Sequence, residues 1–375
     1  MQRQTKLCVS VGREHLEAGR IESVAAGGAD ALVIPWRCGD DAWIPELVSQ
    51  VRAVERNLVR PLAIIVDVVD SADGPAAMRN LIGGSELEDI DFLAISCEHG
   101  SSDVLHFRDA TRGSSRQTGL IEKLDSPQDF ENVEGIAKSA DGVMITRKGL
   151  HSLAPSAAPI AQKTVSRQCQ VAAKPCLVER NATRVIANGG DPDLAAIFDL
   201  ANVAFDHVDC VVLREVPVGQ EEVTNFLSAA AEILVAAESY LEITDRPVRV
   251  GFGQPPHTAA LAYAIRHILK MQEIAAVAVY SLTGQTSRVI AKNWIACPIL
   301  AFSSRPETAR KTCLYHGVTS RHVKAQLDPA RLLETAGMLA KDLQIAVPGD
   351  RIIVVSGHPD QTQDQANGFI VETIS

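Results

Sequence analysis

Two charged groups in the chain draw notice because each one ends an apolar run. The run Gly119–Ile121 breaks into Glu122, Lys123, Leu124 and Asp125, which places a lysine and a carboxylate two residues apart. The run Gly142–Ile145 ends in Arg147, Lys148 and Gly149. Lys123 beside Asp125 admits two readings. It is either an anion-binding lysine or one half of a solvated ion pair across a pleat, which is worth little. Asp67 follows a third apolar run and either works with these groups or starts a turn.

Between the first two clusters, Phe130, Val133, Ile136 and Ala137 repeat at helical spacing. Strand, helix, strand at this spacing is a βαβ unit, with parallel pairing and a right-handed crossover. Parallel sheets and barrels keep their chemistry at the carboxyl ends of their strands, where these charges fall. Apolar runs at Lys6–Val11, Ala31–Pro35, Leu62–Asp67, Phe92–Ser96, Lys174–Val178 and Asp209–Leu213 bring the number of expected strands to eight. Helical segments lie between them, at Leu16–Ala26, Ile44–Asn57, Ser102–Arg112, Pro159–Ala172 and Leu194–Ala204, with a loose stretch from Asp70 to Glu88. Eight strands alternating with helices point to a (β/α)8 barrel; a doubly wound sheet with extra helices is the alternative. The Pro/Gly/Arg-rich stretch TDRPVRVGFGQPP after the helix Gln220–Leu241 marks a domain boundary, giving a barrel domain over 1–243 and an α/β domain over 244–375. In the second domain the reading expects a helix near Thr258–Gln272, a strand near Val277–Ser281 and a helix from Ser287. A strand Pro298–Phe302, a helix opened by Pro306 and two late strands complete it.

Composition limits the function classes. The 375 residues are rich in aliphatic side chains and poor in aromatic ones, which suits a parallel sheet buried on both faces. A net charge of −10 argues against nucleic acid as a partner. No apolar run reaches the ~18 residues of a membrane span, and the start has no secretory pattern. The eight cysteines lie singly, which suits reduced thiols in a cytoplasmic setting and argues against zinc. His257, His267 and His316 have no metal-ligand spacing and read as caps or packing; Cys97 lacks a nearby base and reads as buried bulk.

Several stretches, in order, resemble the pyruvate kinase family. TKLCVSVG is similar to its TKIVCTIG, SADGVMITRKGL to SDGIMVARGDLG, and IEKLDS stands where the family has SKIEN. AQKTVSRQCQVAAKPCLV, the stretch from VAVYSLTGQTSRVIAKNW to ARKTCLYHGV, and PGDRIIVVSG resemble later parts of the family. The resemblance implies a barrel plus C-terminal α/β domain, with Lys123 at the catalytic lysine. It places Asp125 at a metal-binding glutamate, Asp67 at a potassium position, and Ser96 and Arg147 at substrate-binding positions. It also implies departures. The family's β lid domain is absent between 67 and 92. NFSHG becomes PWRCG (Pro35 to Gly39), a phosphate-holding arginine becomes Val33, and the second metal-binding aspartate becomes Gly149 beside Lys148. Of DTKGPEIR only Asp67 remains, a threonine becomes Arg180, and SGET becomes Arg214, Glu215, Val216, Pro217.

Phosphoryl transfer needs positioned charge around the moving group, and loss of one such group commonly costs about 10²–10³ in rate. With several replaced, the expected function is a pyruvate kinase-like pseudoenzyme. It would be a structural or interaction protein, homo-oligomeric or docked on protein partners, within a cytoskeletal or axonemal assembly. No cofactor is expected, with magnesium and potassium required only if activity is retained. The alternatives are residual pyruvate kinase activity, another lyase or aldolase on the same barrel, and a sugar-phosphate sensor. The sensor would use the loop Ser281, Thr283, Gly284, Thr286 and Ser287, at the family's effector loop, which otherwise reads as a helix-capping turn.

Overall fold

The structure is a computed structural model that describes residues 2–37, 42–68, 89–96, 118–181, 193–244, 256–356, 366 and 368–374. Eight strands close into a parallel barrel in sequence order: β1 (Lys6–Ser10), β2 (Ala31–Trp36), β3 (Ala63–Val68), β4 (Phe92–Ser96), β5 (Gly119–Leu124), β6 (Gly142–Ile145), β7 (Cys176–Arg180) and β8 (Cys210–Leu213). The pairing of Lys6 with Cys210 and Val9 with Leu213 joins the last strand to the first. The eight expected strands are therefore present and the doubly wound alternative is not the fold.

Alternation along each strand sorts its side chains into two layers. Cys8, Val33, Ile65, Ala94, Ile121, Met144, Leu177 and Val212 fill the barrel interior. Their neighbours Leu7, Val9, Leu32, Ile34, Val66 and Val178 face outward and form one core with the surrounding helices. Those helices are α1 (Arg20–Ala26), α2 (Ile44–Leu58), α3 (Pro127–Glu131), α4 (Val133–Ser139), α5 (Arg147–Ser152), α6 (Ala158–Val171), α7 (Leu194–Phe205) and α8 (Gln220–Thr244). The helix expected around Phe130 is split at Asn132, yet Val133, Ile136 and Ala137 are buried as their spacing requires. The helix expected over Leu16–Ala26 begins only at Arg20, as α1, and a single-turn 3-10 helix, Arg13–Leu16, precedes it.

The second domain is a five-stranded sheet of order β11-β10-β9-β12-β13, from β9 (Ala276–Tyr280), β10 (Ile299–Ser303), β11 (Val318–His322), β12 (Arg351–Ser356) and β13 (Gly368–Thr373). Only β13 runs antiparallel. Its helices are α9 (Pro256–Leu269), α10 (Gln285–Ala291), α11 (Pro306–Thr312) and α12 (Pro329–Asp342). Strand β11 and helix α12 are additions to the sequence reading. β11 is a partly exposed edge strand, VTSRH, with too little apolar alternation to announce itself.

This domain covers the amino-terminal face of the barrel. Cys313 and Leu314 sit in the same apolar cluster as the barrel interior. Lys6 Nζ donates to the Val318 carbonyl at 2.7 Å, and Gly317 N donates to the Gln4 carbonyl at 2.9 Å. The Lys292 ammonium pairs with Asp209, both essentially fully buried, and Arg310 and Arg52 share Asp91 at 2.8 and 2.7 Å. Buried ions persist only when so paired. The carboxyl ends of the strands thus point away from this docking, and candidate chemistry is left to them. Residues 245–255 of the expected boundary stretch, the Asp70–Glu88 segment, the Ser102–Arg112 helix, Cys38, Gly39 and Cys97 lie outside the described residues. No helix among the described residues is long and apolar enough to cross a membrane.

Candidate functional site at the barrel mouth

The same alternation decides which charged side chains reach the mouth. Asp67 follows the inward Ile65 by two, Ser96 follows Ala94, Lys123 follows Ile121, Glu179 follows Leu177, and Arg214 follows Val212. Arg180 falls on the opposite parity. Its guanidinium turns into the helix layer, where it pairs with Asp199 of α7 at 2.8 Å and bonds Gln162 of α6. Arg180, which stands where the resemblance puts a threonine of the family, is thus not at the mouth.

At the centre is a chain of four charges. Lys123 Nζ donates to Asp67 Oδ1 at 3.0 Å and to the Val68 carbonyl at 2.5 Å. The other Asp67 oxygen takes Arg214 Nη2 at 2.6 Å, and Arg214 Nε reaches Glu179 Oε1 at 2.9 Å. Lys123 and Asp67 are 6% and 4% exposed, so this is not a solvated pair. The partner of Lys123 is Asp67 rather than Asp125, and Asp67 anchors two cations rather than starting a turn. Two positive and two negative groups leave the chain neutral. Burial lowers the pKa of the Arg214 guanidinium, but Asp67 and Glu179 outweigh it, and the pKa is held above its ordinary value.

Asp125 forms a second cluster. Ser96 Oγ donates to its Oδ2 at 2.6 Å, Thr146 Oγ1 donates to its Oδ1 at 2.5 Å, and the exposed Lys148 ammonium stands 3.7 Å from Oδ2. Burial pushes this carboxyl up, while the two hydroxyls and then Lys123 and Lys148 pull it down. The net position is below the usual carboxylate range.

Arg147, Lys148 and Gly149 are not a strand end but the first turn of α5, capped by Thr146, whose hydroxyl accepts from Gly149 N at 3.0 Å. This cap brings Gly149 against the end of β5. A Cβ built there would lie 1.9 Å from the Leu124 carbonyl oxygen, so no side chain fits as the backbone stands. The Arg147 side chain is exposed, and its amide donates to Glu179 Oε2 at 3.1 Å. The mouth therefore collects Lys123, Asp67, Ser96, Asp125 and the backbone of Arg147. It adds three residues that sequence reasoning missed as site members: Thr146, Glu179 and Arg214. The signal for two of them was parity, and for Thr146 its place three residues before a buried glycine. Among the described residues no group of three or more His, Cys, Asp or Glu side chains is gathered as a metal site.

The loop before α10 has no such convergence. Gly284 adopts a left-handed φ of 75°, and its amide donates to Ser281 Oγ at 2.9 Å. Thr308 Oγ1 holds the Leu282 carbonyl at 2.8 Å. Of the loop's hydroxyls, those of Ser281, Thr286 and Ser287 are buried and that of Thr283 is exposed. His267 packs edge-on against Tyr263, and His316 packs against Trp294.

Comparison with known proteins converges with this geometry. The model of the pyruvate kinase barrel domain matches residues 77–220, and that of the pyruvate kinase alpha/beta domain matches residues 259–371. Pyruvate kinase of Clostridium perfringens is 27% identical over 304 residues, covering 79% of this chain and 63% of that protein. Pyruvate kinase of Agrobacterium vitis is 27% identical over 294 residues (76% and 59%), and that of Eimeria tenella 26% over 280 residues (74% and 53%). The chain thus spans less than two thirds of the length of each of these relatives. With a closed eight-stranded parallel barrel, a C-terminal α/β domain and both domain models matched in order, the chain belongs to the pyruvate kinase family.

Proposed function

We propose that this family member has given up phosphoryl transfer and serves as a structural or interaction protein of the cytosol, in a homo-oligomer or a larger, cytoskeletal assembly. The observation that carries the reading is the neutralised lysine. Lys123, at the family's catalytic position, is buried and committed to Asp67, and Asp67 commits its second oxygen to Arg214. An anionic substrate would have to displace Asp67 to reach the ammonium. The ions that pyruvate kinases use also fit poorly. Potassium at Asp67 would compete with two cations. Among the described residues, magnesium, which favours one or two carboxylates plus substrate phosphates, would have Asp125 with Lys148 beside it and no room for a carboxylate at 149.

A face for partners supports the interaction role. Leu194, Phe198 and Phe205 recur on one exposed side of α7, at 64%, 65% and 37% exposure, and Tyr240 of α8 stacks edge-on against Phe205. The runner-up, residual pyruvate kinase or a lyase or aldolase on this barrel, rests on the retained Lys123 and the ionised Asp125. The sensor reading has less support, because most hydroxyls of its loop are buried.

A coupled assay with phosphoenolpyruvate, ADP, magnesium and potassium tests the reading. The expected result is a rate equal to that of Lys123→Ala; turnover that Lys123→Ala abolishes would refute it. Light scattering of the same sample is expected to give more than one copy per particle, and Phe198→Asp to reduce it.

A further inference from the structure

A cavity of about 400 Å³ lies where the amino-terminal face of the barrel meets the C-terminal domain, remote from the mouth. That volume is in the range of small-molecule sites, about 300–1,000 Å³. One wall is an aromatic stack. Trp294 lies 3.7 Å, centroid to centroid, from His316 at a 34° tilt, and 4.4 Å from His207 in an edge arrangement.

Two features of this wall exceed what domain packing requires. First, His207 and Trp294 hold left-handed φ values of 56° and 48° just past the ends of α7 and α10. Glycine is the usual residue there, and a bulky L-residue is strained in that conformation. Two bulky rings occupy positions whose backbone disfavours them. Second, Trp294 Nε1 and His316 Nε2 have no hydrogen-bond partner among the described residues, although both residues are more than nine-tenths buried. A buried polar group left in this way is destabilising, and a ligand accepting from the indole would remove part of that cost.

Two cations and one carboxylate line the cavity. Arg266 and Lys270 stand one turn apart on the α9 side; the buried Arg266 guanidinium donates to the Asn293 and Trp294 carbonyls, while Lys270 is exposed. The facing carboxylate, Glu238, is already used: its two oxygens accept from Gln4 N at 2.9 Å and Thr5 N at 2.6 Å. Leu241 and Leu269 supply apolar surface. A flat ring suits the aromatic and leucine walls, and an anionic group suits the indole N–H and the exposed Lys270 ammonium. We propose that this interdomain cavity is a binding site for a small aromatic carboxylate. Occupancy would tie β1, α8 and α9 together and so stabilise the docking of the two domains.

Titration calorimetry of the full chain with naphthalene-2-carboxylate tests this, with neutral 2-naphthamide as the comparison. The expected result is saturable one-to-one binding with Kd below about 1 mM, at least about tenfold weaker for the amide, and quenching of tryptophan fluorescence. Ala296→Trp, on the exposed rim, should block the entrance and abolish binding. Lys270→Gln, also exposed, should weaken the carboxylate severalfold and leave the amide unchanged, both variants keeping wild-type circular dichroism. Absence of saturable binding, equal affinity for the amide, or full binding by Ala296→Trp would each overturn the proposal.

Discussion

Replacing Asp67 with asparagine removes one charge and almost no volume from the centre of the mouth. Lys123 Nζ then keeps the Val68 carbonyl but loses its counter-ion, while Arg214 keeps Glu179. At 3.0 Å and an effective dielectric constant near 20, the lost attraction is about 5 kcal/mol, part of which the new amide oxygen and local relaxation return. Breaking a buried pair from one side typically costs about 3–5 kcal/mol. We expect Asp67→Asn to destabilise by about 3 kcal/mol, read from urea unfolding followed by tryptophan fluorescence. Lys123→Met should cost less, because Asp67 retains Arg214 at 2.6 Å. The double variant should recover part of the loss, with a coupling of about 2 kcal/mol. If Asp67→Asn stays within about 0.5 kcal/mol of wild type, or the two changes simply add, Lys123 does not depend on Asp67. The ammonium would then be available to a substrate anion, and the argument against turnover would lose its basis.

Two further perturbations separate packing from electrostatics. Gly149→Ala should cost about 3 kcal/mol or more in the same unfolding experiment, since its Cβ would meet the Leu124 carbonyl at 1.9 Å and displace the Thr146 cap; wild-type stability would show that α5 is not pressed against β5. For His316, burial and then Lys6, His207 and Lys292 hold the imidazole well below its ordinary value of 6.5, with the buried Asp209–Lys292 pair beside it. The unfolded chain therefore binds a proton that the folded chain refuses. The contribution is fully present above about pH 6.5 and stability falls as the pH drops below it, so the unfolding midpoint should decline between pH 7.5 and 5.5; His316→Gln should flatten that decline.

Much of the architecture was legible in the chain. Apolar runs such as Ala63–Val66 and Cys210–Leu213 have one structural outlet, a parallel strand covered on both faces, and all eight formed. Helix ends shifted by only a few residues, as at α6 and α7. Edge strand β11 was not legible, because an edge needs little apolar surface and β11 has little. Helix α5 hid behind a motif: read as a strand terminus, Arg147 to Gly149 looked like three residues facing a substrate, whereas the Thr146 cap turns them into a helix start.

The site shows the same division. Residue types and spacing along the chain established that a lysine and two carboxylates end apolar strands, and the family resemblance implied that its second metal carboxylate is a glycine here and that cations replace neutral residues. Such facts are local, carried by identity and period. Which charge meets which was decided only by closure of the barrel. Lys123 and Asp67 are 56 positions apart, and Asp67 and Arg214 are 147 apart. Only the circular strand order sets their side chains on one inner ring, in a setting poor enough in water that each must find a partner. Parity sent Arg180 outward to Asp199, and the fit of α5 against β5 made position 149 a glycine's place. Spacing along a strand says which face a residue takes; what stands across from it depends on where the other seven strands lie.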